Sequence, residues 1–361
     1  MKRVVFAIGS LHGGGAERVV SVWASALAEK GYDVSVIVYS RLENEYPVND
    51  NVSVYPIATS GKECNDISMM ERLRRFRKAL KKLKPDVIIS FLPIVQIYVA
   101  LASVGLHIPR VETIRINPWR AEILASKFAK LWLWCFDSGN ALILQSEDQK
   151  DFFKKSVQKK SVVIPNPINS KYVENEKTSY DSASHRIVAA GRLTEQKNYT
   201  MMIDAIKMVK QEYNDVLLEI YGQGNLENKL QEYVAERGLQ NNVVLKGRSN
   251  ELYNVYKDAD LYVMSSDYEG MPNALAEAMA CGLPCISTNC KTGPRDLIDN
   301  GETGYLVECG DAEGLAQKIK CVFSMSDNER MLMGKKAREK VLDLCGEANS
   351  LNKLIMLIEG I

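Results

Sequence analysis

The chain has 361 residues, 46% of them hydrophobic and 25% charged, with 46 basic against 45 acidic side chains and a formal net charge of +1. That is globular composition with apolar material for more than one core; it excludes a disordered chain, a collagen-like repeat and a small disulfide scaffold, and it offers no overall charge for gripping nucleic acid. Eight cysteines (64, 135, 281, 285, 290, 309, 321 and 345) form no CxxC pair and only three histidines accompany them, poor material for a zinc centre and typical of packing thiols in a reduced compartment.

Met1-Lys2-Arg3 and the apolar run to Leu11 mimic a signal peptide, but the Gly-Gly-Gly-Ala-Glu-Arg that follows does not fit a cleavage region. No window approaches the roughly 18 consecutive apolar residues of a spanning helix, so a cytoplasmic protein is expected, either free or peripheral at the inner face of the membrane. A strand is expected at Val4–Ile8, a helix at Ala16–Glu29 and a strand at Val34–Tyr39. Further strands are expected at 87–91, 141–144, 161–164, 187–190, 216–221, 243–246, 261–264 and 284–287, with helical stretches between them. This alternation specifies α/β layers with mainly parallel sheets.

Ile164 to Ser170 reads Ile-Pro-Asn-Pro-Ile-Asn-Ser, and the stretch to His185 is polar and aperiodic, which reads as a linker between two doubly wound domains. Up to residue 167 there are 24 basic and 16 acidic residues, and beyond it 22 and 29. The sharpest basic segment is Glu71–Lys84, where eight of fourteen residues are Lys or Arg and Leu73, Phe76, Leu80 and Leu83 share one helical face. It suits either a solvated surface helix or a face for an anionic membrane or a diphosphate-bearing acceptor. Pro118–Phe136 gathers Trp119, Phe128, Trp132, Trp134 and Phe136 among Arg120, Lys127 and Lys130, as an interfacial helix does and as a domain core also does.

Three segments carry chemistry. Gly9–Arg18 contains His12 and the run Gly13-Gly14-Gly15, a turn whose amides can approach an anion at a helix start; it is neither a Walker loop nor a dinucleotide fingerprint. Gly191–Asn198 follows a strand and offers Arg192 and Lys197, a planar fork and a point charge suited to a diphosphate, although either can equally pair with a carboxylate. Asp267–Met279 places Glu269 and Gly270 in a turn, Pro272 at the first helical position and Asn273, Ala274 and Leu275 at an amide-rich helix start. Glu277, about two turns in, and Glu269 are both able to accept sugar or ribose hydroxyls.

The Gly-Gly-Ala-Glu-Arg turn, the Gly-Arg-Leu…Lys-Asn loop and the Glu-x7-Glu segment running into Ala-Cys-Gly-Leu-Pro resemble the family 4 retaining glycosyltransferases over essentially the whole chain. The resemblance implies the α/β GT-B fold, two facing Rossmann-like domains with a cleft between them: 1–167, acceptor-binding and completed by a C-terminal helix at 346–361, and 168–345, binding a nucleotide sugar. It implies that Arg192 and Lys197 clamp the donor diphosphate, Glu277 binds the ribose, and Glu269 with Gly270, Asn273, Ala274 and Leu275 holds the sugar and phosphate. Arg248 would lie against the base, and Gly14 and Gly15 would face the donor. Many relatives place a histidine where this chain reads Glu112-Thr113-Ile114-Arg115-Ile116-Asn117-Pro118; this stretch resembles a subgroup with Arg followed by Asn-Pro, and the resemblance implies that Arg115 stabilises the developing charge or positions the acceptor.

The expectation is thus a metal-independent, retaining transferase with no cofactor, moving a hexose or N-acetylhexosamine from a UDP-sugar to a polyprenyl-diphosphate-linked glycan. A nucleotide-sugar epimerase of the same architecture is the alternative, followed by an NAD-dependent oxidoreductase and a non-catalytic sugar-nucleotide-binding subunit.

Overall fold

Seven short strands of the N-terminal half and six of the C-terminal half form two all-parallel sheets in the computed structural model, which describes residues 2–59, 63, 66–180 and 185–361. Cys64 lies outside the described residues, as does 181–184 of the expected linker. The chain divides into two compact units, 2–167 with Ala348–Ile361, and Ile168–Glu347.

The first sheet is built from β1 (Arg3–Ala7), β2 (Asp33–Val38), β3 (Ser53–Pro56), β4 (Val87–Ser90), β5 (Arg110–Thr113), β6 (Ala141–Leu144) and β7 (Ser161–Val163), in the order β3-β2-β1-β4-β5-β6-β7. Its central strands are apolar throughout because helices cover both faces of a parallel sheet. On one face the helix Gly15–Glu29 and the C-terminal helix Glu347–Glu359 bury Trp23, Leu27, Leu354 and Ile358. On the other lie Met69–Leu83, Pro93–Ala102 and Ala129–Ser138. Trp132 and Phe136 are buried there, so the aromatic segment is mainly core, while Leu133 and Trp134 remain 39% and 38% exposed.

The second sheet comprises β8 (Arg186–Ala190), β9 (Leu217–Tyr221), β10 (Val243–Gly247), β11 (Leu261–Met264), β12 (Cys285–Thr288) and β13 (Tyr305–Val307), in the order β10-β9-β8-β11-β12-β13. The doubly wound Rossmann-like arrangement thus appears twice.

Three strands were not expected from the sequence. β3 and β13 are short and half-exposed edge strands, and β5 carries Arg110 and Glu112, which interrupt the apolar run. Both are buried because they satisfy each other: Arg110 Nη1 lies 3.3 Å from Glu112 Oε1, Arg110 Nη2 donates to Ser138 Oγ at 2.7 Å, and Ser90 Oγ donates to Glu112. The expected linker is also corrected. Ser170–Glu174 is helical, Ile168, Tyr172 and Val173 pack into the second unit's core, and Lys177 is buried with its ammonium over the Tyr180 ring.

The basic segment forms the helix Met69–Leu83, opened by Ser68 Oγ accepting from Glu71 N and closed by Lys84 in the left-handed region. Phe76, Ala79 and Leu80 are buried, with Leu73 and Leu83 packed beside them. Several of its cations are engaged internally: Arg75 with Glu63 and Glu71, Arg77 with the carbonyls of Ala102 and Val104, and Arg72 against Tyr39 and Tyr98. Arg74, Lys78, Lys81, Lys82 and Lys84 remain exposed.

Candidate functional site

In each sheet the strand order reverses at the centre, and the crevice beyond the carboxyl ends of the flanking strands is where open α/β sheets bind ligands. In the second unit those strands are β8 and β11, so the segments 191–198 and 265–272 become neighbours. Hydrogen bonds zip them together. Ser265 Oγ donates to Lys197 O at 2.8 Å, Asp267 N to Gln196 O at 2.9 Å, Gln196 Nε2 to Tyr268 O at 2.8 Å, and Asn198 Nδ2 to Asp267 Oδ1 at 2.9 Å. Lys197 Nζ completes the set 2.5 Å from Glu269 Oε1, with side-chain exposures of 15% and 8%.

The local sequence explains this closeness. At Gly191 a Cβ would stand 2.8 Å from Lys197 Cε, and at Gly222 one would collide with the Gly191 carbonyl. Only glycine lets these strand ends approach. Asn198 takes a positive φ of 44° and its side chain accepts from Met201 N, turning the chain and capping the helix Tyr199–Val209 in one residue.

The turn carrying Glu269 is supported from behind by a residue that sequence reasoning missed. Thr292 is fully buried, has a φ of 71°, and donates its hydroxyl to Glu269 O. Such a conformation in a β-branched residue persists only where its surroundings enforce it. The available signal was Gly293-Pro294, a turn pair immediately after it.

The helix runs Asn273–Ala280, with Pro272 at the N-cap and not at the first helical position. Ala276 N bonds Pro272 O, so the amides of Asn273, Ala274 and Leu275 precede the first ladder bond and form a partial positive charge at the helix start. Glu277 lies four residues beyond Asn273, little more than one turn into the helix, where two turns were expected; the one-residue later start is only a small part of that difference, and Glu277 is 6% exposed. Leu275 is fully buried, leaving only its backbone for a ligand.

Arg192 is exposed, and its side chain makes no hydrogen bond or ion pair among the described residues. The same holds for Arg248, which follows the bulged end of β10, tied to the neighbouring strand by Gly222 N donating to Gly247 O at 2.8 Å. Lys197 instead takes the carboxylate-paired state, with Glu269 as its partner.

In the first unit, Gly14 N-caps the helix Gly15–Glu29 without a side-chain cap, and a Cβ there would strike the Glu17 carboxylate. Burial raises the pKa of Glu17, against the opposing effects of its own amide and His12. The exposed His12 ring has Nδ1 2.9 Å from Glu43 O and anchors a loop. Arg115 follows β5 with Nη1 2.8 Å from Asn166 Oδ1 and 3.2 Å from Ile164 O, and desolvation pushes its pKa down to about 9. Among the described residues no group of three or more metal-ligating side chains is present, and no helix is long and apolar enough to cross a membrane.

Two doubly wound units, one with an ion-paired switch-point loop beside a helix start, define a GT-B protein with a site suited to a phosphorylated ligand. Residues 13–172 match the model for Glycosyltransferase Family 4 and residues 173–340 that for glycosyl transferases group 1. The chain belongs to the GT-B family 4 glycosyltransferases. It is 30% identical over 252 residues to an uncharacterized glycosyltransferase of Methanocaldococcus jannaschii, covering 64% of this chain and 62% of that one. It is 28% identical over 353 residues to the GalNAc-alpha-(1->4)-GalNAc-alpha-(1->3)-diNAcBac-PP-undecaprenol alpha-1,4-N-acetyl-D-galactosaminyltransferase of Campylobacter jejuni, covering 95% and 94%. The crystal structure of Anabaena HepE in complex with UDP-glucose superimposes with a TM-score of 0.81 over 100% of both chains at 16% identity, a likeness of fold.

Proposed function

We propose that this glycosyltransferase is a retaining enzyme that transfers a hexose or N-acetylhexosamine from a UDP-sugar to a hydroxyl of a polyprenyl-diphosphate-linked glycan. The observation that carries the donor half is the cradle of the second unit, where Lys197, Glu269 and the first amides of the Asn273–Ala280 helix are held together by the zipped loops. Arg192 and Lys197 take the diphosphate, Glu269 with Gly270 and the amides of Asn273, Ala274 and Leu275 takes the sugar and its phosphate, Glu277 the ribose, and Arg248 the base. The Campylobacter relative, named for an undecaprenyl-diphosphate acceptor, and the UDP-glucose complex of HepE support the choice of substrates.

On this reading no enzyme nucleophile forms. The bond between the anomeric carbon and the diphosphate breaks, the acceptor oxygen bonds to that carbon on the same face, and its proton passes to the departing phosphate. Lys197, Arg192 and the helix start neutralise the charge that develops on the leaving group, an electrostatic contribution that needs no metal and little reorganisation because the loops are already fixed. When the donor binds, before any bond breaks, Lys197 exchanges its carboxylate partner for phosphate, which frees Glu269 to accept sugar hydroxyls.

The exposed cations Arg74, Lys78, Lys81 and Lys82 give the first unit a face toward anionic lipid, each contributing on the order of 1 kcal/mol near such a surface. UDP release measured against a panel of UDP-hexoses and N-acetylhexosamines, with and without polyprenyl-diphosphate saccharides in detergent, tests the whole reading. Release that needs both one donor and a lipid-linked acceptor is expected; release of a free epimer without acceptor points to the epimerase instead.

A further inference from the structure

Arg115 combines three features that do not usually coexist. The register Thr113↔Ile143 and Leu144↔Val163, continued by Ile114 N to Ile143 O and Ile164 N to Leu144 O, sets Arg115, Gln145 and Ile164 in one row just beyond the carboxyl edge of the first sheet. Its guanidinium lies over the rings of Trp23 and Phe91, 4.6 and 5.6 Å from their centroids, which fixes its plane. Its Nη1 is spent on Asn166 and Ile164 O. Nε and Nη2, the parallel donor pair that matches an oxyanion, have no partner among the described residues and are shielded from solvent.

Among the described residues no acidic side chain pairs with this cation, and desolvation alone shifts it. Arg110, five residues earlier, shows the contrast, since its buried charge is answered by Glu112. Beside Arg115 in the row, the side-chain oxygen of Gln145, a residue 4% exposed, is also unpartnered, and so is the hydroxyl of Ser146, 1% exposed. A fixed, desolvated fork without a counter-ion, with the Ser146 hydroxyl as a further unpartnered donor nearby in sequence, has the donor chemistry of an oxyanion site.

We propose that Arg115 is an oxyanion receptor of the first unit, engaging a phosphoryl group of a diphosphate substrate through its Nε and Nη2 edge. The choice of phosphate over carboxylate rests on the proposed function, whose donor and acceptor both carry a diphosphate. Either can supply the group, and the experiment separates them.

Equilibrium binding of UDP, and separately of a short-chain prenyl diphosphate in detergent, is measured on the full chain, unaltered and as Arg115→Gln, Arg115→Lys and Arg192→Ala, with melting temperatures recorded for each. Weakening by tenfold or more in Arg115→Gln with only partial recovery in Arg115→Lys is expected for one ligand. Weaker prenyl diphosphate binding assigns the acceptor as the source, and weaker UDP binding assigns the donor. Unchanged binding of both ligands by a folded Arg115→Gln overturns the inference, while loss of UDP binding in Arg192→Ala leaves the donor-site reading standing. Failure of the unaltered protein to bind either ligand overturns both.

Discussion

Lys197 and Glu269, 72 residues apart in sequence, meet as a 2.5 Å ion pair at the switch point of the second sheet. Four hydrogen bonds between their loops hold them there, and both side chains are largely withdrawn from solvent. Removing one partner strands the other charge in a poorly hydrated place. Lys197→Ala and Glu269→Ala are therefore each expected to cost about 3 kcal/mol of stability and at least a hundredfold in turnover. The double variant should lose less stability than the sum of the two, a non-additivity that denaturant melts of all four proteins measure directly.

Arg192 makes the opposite case. It is exposed and makes no ion pair among the described residues, so Arg192→Ala should leave the melting temperature within about a degree while weakening UDP binding tenfold to a hundredfold, the loss of about 1.5–3 kcal/mol of charge-assisted hydrogen bonding. Titration calorimetry with UDP reads the effect, and unchanged affinity removes Arg192 from the donor site.

Gly222→Ala tests the geometry that brings the loops together. Its Cβ would overlap the Gly191 carbonyl, so the strand ends must part and Lys197 must move from its partner. Activity should fall with a stability loss of several kcal/mol; wild-type turnover in this variant would refute the need for that close approach.

The exposed cations of the Met69–Leu83 helix can be altered separately from those in internal pairs. Reversing Lys78, Lys81 and Lys82 to glutamate, while leaving Arg74 and Arg75 to their partners Glu71 and Glu63, should abolish cosedimentation with anionic vesicles without changing the fold. Sedimentation equal to that of the unaltered protein argues against a lipid-facing role. High salt should weaken the association for the same electrostatic reason.

Glu112 supplies a pH signature. Burial lifts its carboxyl to about 7, against the pull of Arg110 and Ser90. The folded state then holds a proton that the unfolded state, with an ordinary carboxyl, has released, so stability should decline as pH rises from about 4.5 to 7. Glu112→Gln, which keeps the shape and removes the titration, should flatten this part of the stability curve in melts taken across that range.

Much of the architecture was legible because a parallel sheet covered on both faces writes itself as apolar runs. Ala141–Leu144 and Leu261–Met264 fall where expected, and the others that were foreseen shift by about one residue. β5 was hidden because its Arg110 and Glu112 look like surface residues until each is seen to neutralise the other. Thr292 was hidden because nothing in a threonine's identity announces a left-handed backbone or a hydrogen bond to a turn 23 residues earlier.

The sequence by itself determined the two-domain α/β class, the family and the charged and amide-rich segments that meet at the switch point of the second sheet, since these follow from local periodicity and short motifs. Only the tertiary structure decided how these charges are placed: Lys197 with Glu269, Arg192 exposed to solvent, Arg115 over the rings of Trp23 and Phe91 with its donor edge unanswered among the described residues. Pairing depends on distances across strands far apart in the chain and on how much water each group retains, and neither quantity is encoded in the neighbouring residues of the sequence.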